Sequence, residues 1–183
     1  MVGAILTQNT AWTNVERALA GLAARTRLTP ARLLALSEEE LGRCIRSSGY
    51  FRAKAKKLHA LCAWYLEVGG LRTLARAPLV RIRPELLAVW GVGPETADSI
   101  LCYAAGRRVA VVDAYTRRVL ARHGLCDAEL PYETIRAWLE ERLLASQAVH
   151  EEFHALCVRV GSQHCKPTPR CATCAATTPP ALA

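Results

Sequence analysis

The sequence predicts an all-α fold. Apolar residues recur at helical spacing in nearly every segment, the composition is dominated by Ala, Leu, Arg and Glu, and the only notable β-branched run is the short stretch Val109 to Val112. About eight to ten short helices are expected.

Taken in chain order, the pattern opens at Met1-Val2-Gly3-Ala4-Ile5-Leu6 with no capping segment ahead of it, which raises the expectation that an N-terminal element has been lost. Thr29 before Pro30 starts one helix, and Ser37 followed by Glu40 has the form of a capping box at the start of another. Pro84 is expected to open the segment Pro84 to Val89. Breaks are expected at Gly49, Gly69-Gly70, the Trp90 to Pro94 hairpin, Gly106, Gly124 to Pro131, and after Gly161. The tail from Pro167 is rich in Pro, Thr and Ala and cannot hold a core, so it is either disordered or organised by a metal. No internal repeat is present.

With 183 residues, 51% of them hydrophobic, the chain can bury a real core. Its 24 basic residues outnumber 16 acidic ones, and the lysines are only Lys54, Lys56, Lys57 and Lys166. Arginine-rich positive charge suits phosphate forks and leaves few amines for Schiff-base chemistry. A polyanion is therefore the simplest partner. No long apolar run, positive leader or small-residue cleavage pattern appears, so neither a membrane span nor a signal peptide is expected and the protein is read as cytoplasmic. In that compartment cysteines stay reduced, and Cys44, Cys62, Cys102 and Cys126 read as small buried hydrophobes.

Two segments, and a single aspartate between them, carry chemistry. The first, Pro84 to Tyr103, reads as a helix, the hairpin Gly91-Val92-Gly93 and a second helix opening at Pro94. The glycines permit positive φ and close backbone approach, and the free N–H groups at the second helix start can hold a phosphate. Alone this is compatible with an ordinary αα-hairpin. Farther along, Val111-Val112-Asp113-Ala114-Tyr115 places an acid between an apolar extended stretch and a helix, where an aspartate is ordinarily an N-cap. The second segment is Cys165-Lys-Pro-Thr-Pro-Arg-Cys171-Ala-Thr-Cys174, in which three cysteines crowded among prolines read as metal ligands.

The hairpin and the aspartate together resemble the signature of the endonuclease III superfamily of helix-hairpin-helix DNA glycosylases. The resemblance runs from Ile5-Leu6-Thr7-Gln8-Asn9-Thr10 through Ser48-Gly49-Tyr50-Phe51 and Glu95-Thr96-Ala97-Asp98 to the terminal cysteines, and is nearest to the bacterial 3-methyladenine glycosylase-like branch. It implies a two-lobed helical fold with a C-terminal metal-cluster loop: residues 12–108 form one lobe with the helix-hairpin-helix at 84–104, and 1–11 plus 109–183 form the other, with the cluster loop at 165–174. It also implies a nucleoid-associated monomer that binds double-stranded DNA.

By resemblance, Asp113 is the catalytic carboxylate, Gln8 enters the DNA stack where the damaged nucleotide has left, and Tyr50 is the wedge against the opposite strand. Flipping a base costs roughly a few kcal/mol, which a flat side chain can partly replace. For Phe51 core packing is an equal reading, and for Gln8 the plain alternative is a solvated helix residue. Arg52 and Lys54, with the hairpin Gly91, Val92 and Gly93, are candidate DNA contacts, although a solvated basic face is the default for any single cation. Trp12, one turn beyond Gln8, is a candidate wall of the base pocket, or else a core tryptophan.

Glu95 occupies the position of the lysine that endonuclease III uses to attack the sugar. A carboxylate cannot form a Schiff base, so little strand cleavage is expected, and an acid in a helix first turn needs no catalytic role at all. The family loop holds a [4Fe–4S] cluster on four cysteines. Here Cys165 and Cys171 are one residue closer than in the family spacing, and Pro180 stands where the fourth cysteine is expected. Three cysteine ligands plus Cys157, His164, solvent or another group, an unstable cluster, or zinc all remain open. The function expected is removal of damaged, alkylated bases by a monofunctional glycosylase of base excision repair. The alternatives are a pyrimidine-lesion or mismatch glycosylase and a catalytically impaired DNA-binding homologue.

Overall fold

The computed structural model describes residues 1–174 and 176. Helices account for its regular structure among the described residues, with no strand. The β-branched run Val109 to Val112 is a buried connection rather than a strand, each residue at most 2% exposed, with the Ala110 and Val112 amides donating to the Glu140 carboxylate and the Tyr132 hydroxyl. Among the described residues no helix is long and apolar enough to cross a membrane.

The chain divides into two compact units, Met1–Ala105 and Gly106–Ala183. The first contains α1 (Val2–Leu6), α2 (Trp12–Arg25), α3 (Pro30–Leu34), α4 (Glu38–Cys44), a 3-10 turn (Arg46–Ser48), α5 (Phe51–Glu67), α6 (Gly70–Arg76), α7 (Leu79–Leu87) and α8 (Pro94–Ser99), which runs on as a π turn (Ile100–Ala104). The second contains α9 (Ala114–Arg122), α10 (Tyr132–Arg142), α11 (Gln147–Gln163) and a 3-10 turn (Cys171–Thr173). The helices are more numerous than their periodicity suggests because α1 and α3 are single-turn pieces of 5 residues each, too short to show a period.

In the first unit α5 is the central element, packed against α1, α3, α4 and α6. Its buried Ala55, Leu58 and Leu61 meet a core that includes Ile5, Leu6, Leu33 and Leu41. The expected grouping of residues 1–11 with the second lobe differs from this division: α1 buries Ile5 and Leu6 completely and packs on α5, α2 and α8. Helices α2 and α4 cross so closely that a Cβ on Gly21 would stand 2.5 Å from the Cys44 carbonyl oxygen. The capping box at Ser37 and Glu40 is formed in both directions.

Pro84 does not open a helix as expected but lies inside α7, which begins five residues earlier after Pro78. Pro78 supplies the fixed φ of a helix start, and the amide that Pro84 lacks would have served the turn at Val80, whose side chain is 84% exposed. The second unit packs α11 along α9 and holds a cluster of Ala110, Val112, Leu120, Ile135 and Leu139, flanked by Trp138 and Phe153. A Cβ on Gly161 would stand 2.6 Å from the Tyr115 ring, so α11 and α9 touch almost backbone to side chain there.

Candidate active site and DNA-contact surfaces

In the first unit the helix-hairpin-helix is formed by α7, the loop Val89 to Gly93 and α8 with its π turn. Gly91 has φ +81°, the left-handed region that a side chain disfavours, and the stem of Lys57 lies over it, so that a Cβ would stand 2.3 Å from Lys57 Cγ. Gly93, by contrast, has φ −93° as the residue ahead of α8, and a Cβ there would meet nothing within 4 Å. Only the first glycine is therefore required by backbone geometry. Val92 is 6% exposed and anchors the loop, whereas Trp90 beside it is 57% exposed.

The two helices of the hairpin are fastened by an ion pair. Arg83 of α7 donates from Nε and Nη2 to both oxygens of Asp98 in α8, at 2.7 and 2.9 Å, with the Asp98 side chain fully buried. Gln8 is tied to the same hairpin. Its Nε2 donates to the Gly91 carbonyl at 3.2 Å and the Thr96 hydroxyl at 2.9 Å, and its Oε1 accepts from Lys57 Nζ at 2.6 Å. It is thus a half-buried, fully engaged amide rather than a solvated one. Lys57 and Thr96 as holders of Gln8 leave no linear signature, since the contacts join residues 49 and 88 positions apart.

Tyr50 and Phe51 separate cleanly. Tyr50 is 74% exposed with φ +45°, while Phe51 turns inward against Gly42 of α4, where an added Cβ would lie 3.3 Å from its ring. A tyrosine held left-handed costs roughly 1–2 kcal/mol, so the packing of Phe51 and the turn at Gly49 must over-determine this loop. Arg52 is exposed, its guanidinium 5.8 Å from the Phe51 ring centre.

Lys54 does not present its ammonium to solvent as the expected DNA contact would. It is 2% exposed, and its Nζ donates to the carbonyls of Leu6 at 2.8 Å and Ser48 at 2.6 Å. An ammonium spent on two buried carbonyls cannot reach a phosphate; it ties α1 to the turn before Tyr50. Burial, and secondarily the nearby Lys57, lower its pKa. Trp12 is 56% exposed at the start of α2 with its ring edge beside Gly3, which removes the core-tryptophan alternative. Glu95 is exposed in the first turn of α8.

In the second unit Asp113 caps α9: its Oδ1 accepts from the Thr116 amide at 2.7 Å. Its Oδ2 lies 3.7 Å from Nε2 of His154 on α11, and both side chains are 13% exposed. Burial by itself would push this carboxyl up, but the His154 and Thr116 contacts outweigh it and hold the group below the usual carboxylate value. Asp113 is thus an N-cap and an ionised, partly open carboxylate at once. His154 does not stand out in the sequence, where the only hint is its helical spacing from His150.

Cys165, Cys171 and Cys174 line one hollow of about 630 Å³ together with His164, Arg122 and His123. Arg118 and Arg122 brace its rim, donating to the carbonyls of Cys165, Lys166 and Pro167, and Arg122 Nη1 lies 3.4 Å from Cys165 Sγ. Among the described residues no three His, Cys, Asp or Glu side chains are grouped closely enough to hold a metal ion. Cys157 does not line this hollow; it is buried on α11, where burial and the nearby Asp113 push its thiol up to about 11. Pro180 lies outside the described residues. Cys62 and Cys102 are buried as expected, and Cys44 and Cys126 half-buried.

Comparison with known proteins agrees with this architecture. A chain of Methanocaldococcus jannaschii provisionally named a DNA repair glycosylase is 38% identical over 177 residues, covering 95% of this chain and 80% of its own. Endonuclease III of Bacillus subtilis is 32% identical over 152 residues, covering 79% and 63%. Among solved structures, the Helicobacter pylori 3-methyladenine DNA glycosylase bound to 1,N6-ethenoadenine superposes with a TM-score of 0.78 at 25% identity, covering 88% of this chain and 83% of its own. A non-covalent endonuclease III–DNA complex gives the same TM-score of 0.78 at 27% identity, covering 95% and 78%. Residues 2–143 match the HhH-GPD superfamily of base excision DNA repair proteins. The chain belongs to that superfamily and is a DNA glycosylase of its endonuclease III-like kind.

Proposed function

We propose that this glycosylase acts as a monomer on double-stranded DNA, excising alkylated purines by hydrolysis with little or no strand cleavage. The observation that carries the reading is Asp113, a carboxylate fixed at the head of α9 and held ionised by its neighbours. As the C1′–N bond breaks, the base leaves with the bonding electrons and the sugar becomes oxocarbenium-like. Asp113 stabilises that charge and takes the proton of the water that attacks C1′.

Glu95 stands where the resemblance places an attacking lysine, and Lys54 and Lys57 are engaged with the Leu6 and Ser48 carbonyls and with Gln8. An enzyme of this kind releases base and leaves an abasic strand. Exposed Tyr50, Arg52 and Trp12, together with Gln8 and the backbone of Gly91, Val92 and Gly93, supply the DNA contacts and the base-stacking face. The H. pylori relative bound to 1,N6-ethenoadenine supports the alkylpurine class. The Glu95 carboxylate would favour cationic over neutral lesions, a preference that Glu95→Gln should erase.

Cys165, Cys171 and Cys174 fit a [4Fe–4S] cluster in donor type and in sharing one arginine-braced hollow, with the fourth ligand left open. When bound, the cluster would supply a cross-link fastening the C-terminal loop. Colourless, iron-free purified protein would refute it. The function is tested by incubating alkylated, oxidised and mismatched duplexes with the enzyme, each with and without alkali. Base loss that yields strand breaks only after alkali is expected, and a borohydride-trapped enzyme–DNA adduct would overturn the hydrolytic mechanism.

A further inference from the structure

We infer that His154 is a positioning residue for Asp113, holding the carboxylate's second oxygen through Nε2 so that its plane is fixed for the chemistry. This rests on the reading of Asp113 given above. The carboxylate has two oxygens to orient. Oδ1 is fixed by the Thr116 amide at 2.7 Å, which by itself leaves the group free to swing about that bond. Oδ2 faces His154, which α11 delivers from 41 positions along the chain into contact with the head of α9.

At 3.7 Å the contact is longer than a hydrogen bond in the free protein, and such contacts commonly tighten only when substrate is bound. The placement is rigid. Helix α11 lies against α9 with Gly161 pressed on Tyr115, so the helix carrying His154 cannot shift away without opening that contact. With both side chains only 13% exposed, water screens the pair weakly. The titratable groups acting on this carboxylate come from α11: His154, and one turn farther Cys157, whose thiol is held neutral near pH 7 by burial and by Asp113 itself. From α9 it receives the Thr116 contacts.

NMR titration of the free protein, with labelled aspartate carboxyl carbons, tests this pairing without any substrate. In His154→Ala the Asp113 midpoint should rise. His154→Gln, which keeps a donor near the same place, should restore part of the Asp113 shift, and it also serves if the alanine variant fails to fold.

Single-turnover base release from a duplex carrying one 1,N6-ethenoadenine, at saturating enzyme, should drop about tenfold in His154→Ala, with duplex affinity unchanged, its acid limb moved to higher pH, and partial recovery in His154→Gln. An Asp113 titration indifferent to His154→Ala would overturn the inference even if the enzyme is active. A coupled pair in a protein that releases no base from any duplex would instead overturn the assigned function. Coupling with base release indifferent to His154→Ala would refute the positioning role.

Discussion

Removing the Asp98 carboxylate should loosen the hairpin more than any other single change on its two helices. Asp98 is fully buried and accepts two charge-assisted hydrogen bonds from Arg83, which is itself only 14% exposed. Replacement by alanine forfeits both bonds and leaves a guanidinium nearly out of water. Breaking one side of a buried pair costs about 3–5 kcal/mol. Because Arg83 keeps a narrow opening to solvent, its charge can be partly rehydrated, which places the cost near the lower end, about 3 kcal/mol. With a urea dependence of about 2 kcal/mol per molar, the midpoint should fall by roughly 1.5 M at unchanged slope.

Urea unfolding followed by circular dichroism measures this directly, and it should be run beside Arg83→Met, Asp98→Leu and their combination. The two single variants should each be severely destabilised, while the double variant recovers most of the loss, because an apolar pair can replace a buried ionic one nearly neutrally. A fall of less than about 0.5 M for Asp98→Ala, or strictly additive singles, would refute the reasoning. Duplex affinity should weaken in parallel, since the pair fastens both arms of the loop from Val89 to Gly93.

Three other outcomes follow from the same geometry. Gly21→Ala should destabilise by about 1–3 kcal/mol in thermal melts, because its Cβ would stand 2.5 Å from a backbone oxygen that cannot move without separating α2 from α4. Lys54→Ala should cost about 2–4 kcal/mol through two carbonyls left buried without donors, yet leave the salt dependence of DNA binding unchanged; a reduced salt slope would return Lys54 to the phosphate contacts. Asp113, whose folded pKa is below its unfolded value of 3.8, contributes stability that is present above the unfolded value and lost as pH falls through the folded one. Asp113→Asn should therefore lower stability by a near-constant amount above about pH 4 and flatten the acid side of the profile, the two proteins converging as pH falls further.

Where the signals are local, they are legible in the chain. Helical spacing, the Ser37 to Glu40 capping box, the Gly91 turn ahead of Pro94 and the capping position of Asp113 all depend on residues within one or two turns of each other, and the structure forms each of them. Helix beginnings marked by proline are less secure. Pro84 carries the residue type of a helix start but sits inside α7, because Pro78 carries it too and the apolar positions Leu79, Ile82 and Leu86 prolong the buried face between them.

What a side chain does at its tip is decided elsewhere. Lys54, Lys56 and Lys57 are neighbours of one chemical type, yet one ends buried on two carbonyls, one stands in solvent and one holds Gln8. Helix α5 turns each to a different side, and only the elements packed there determine the partner. Tyr50 and Phe51 divide outward and inward for the same reason. His154 has nothing in its own neighbourhood of sequence to distinguish it from His150. The sequence alone therefore determined the helical class, the hairpin and the acid at the head of α9, since each is written within a few residues. The partner of that acid was decided by tertiary structure, because only the packing of α11 on α9 brings the imidazole to the carboxylate.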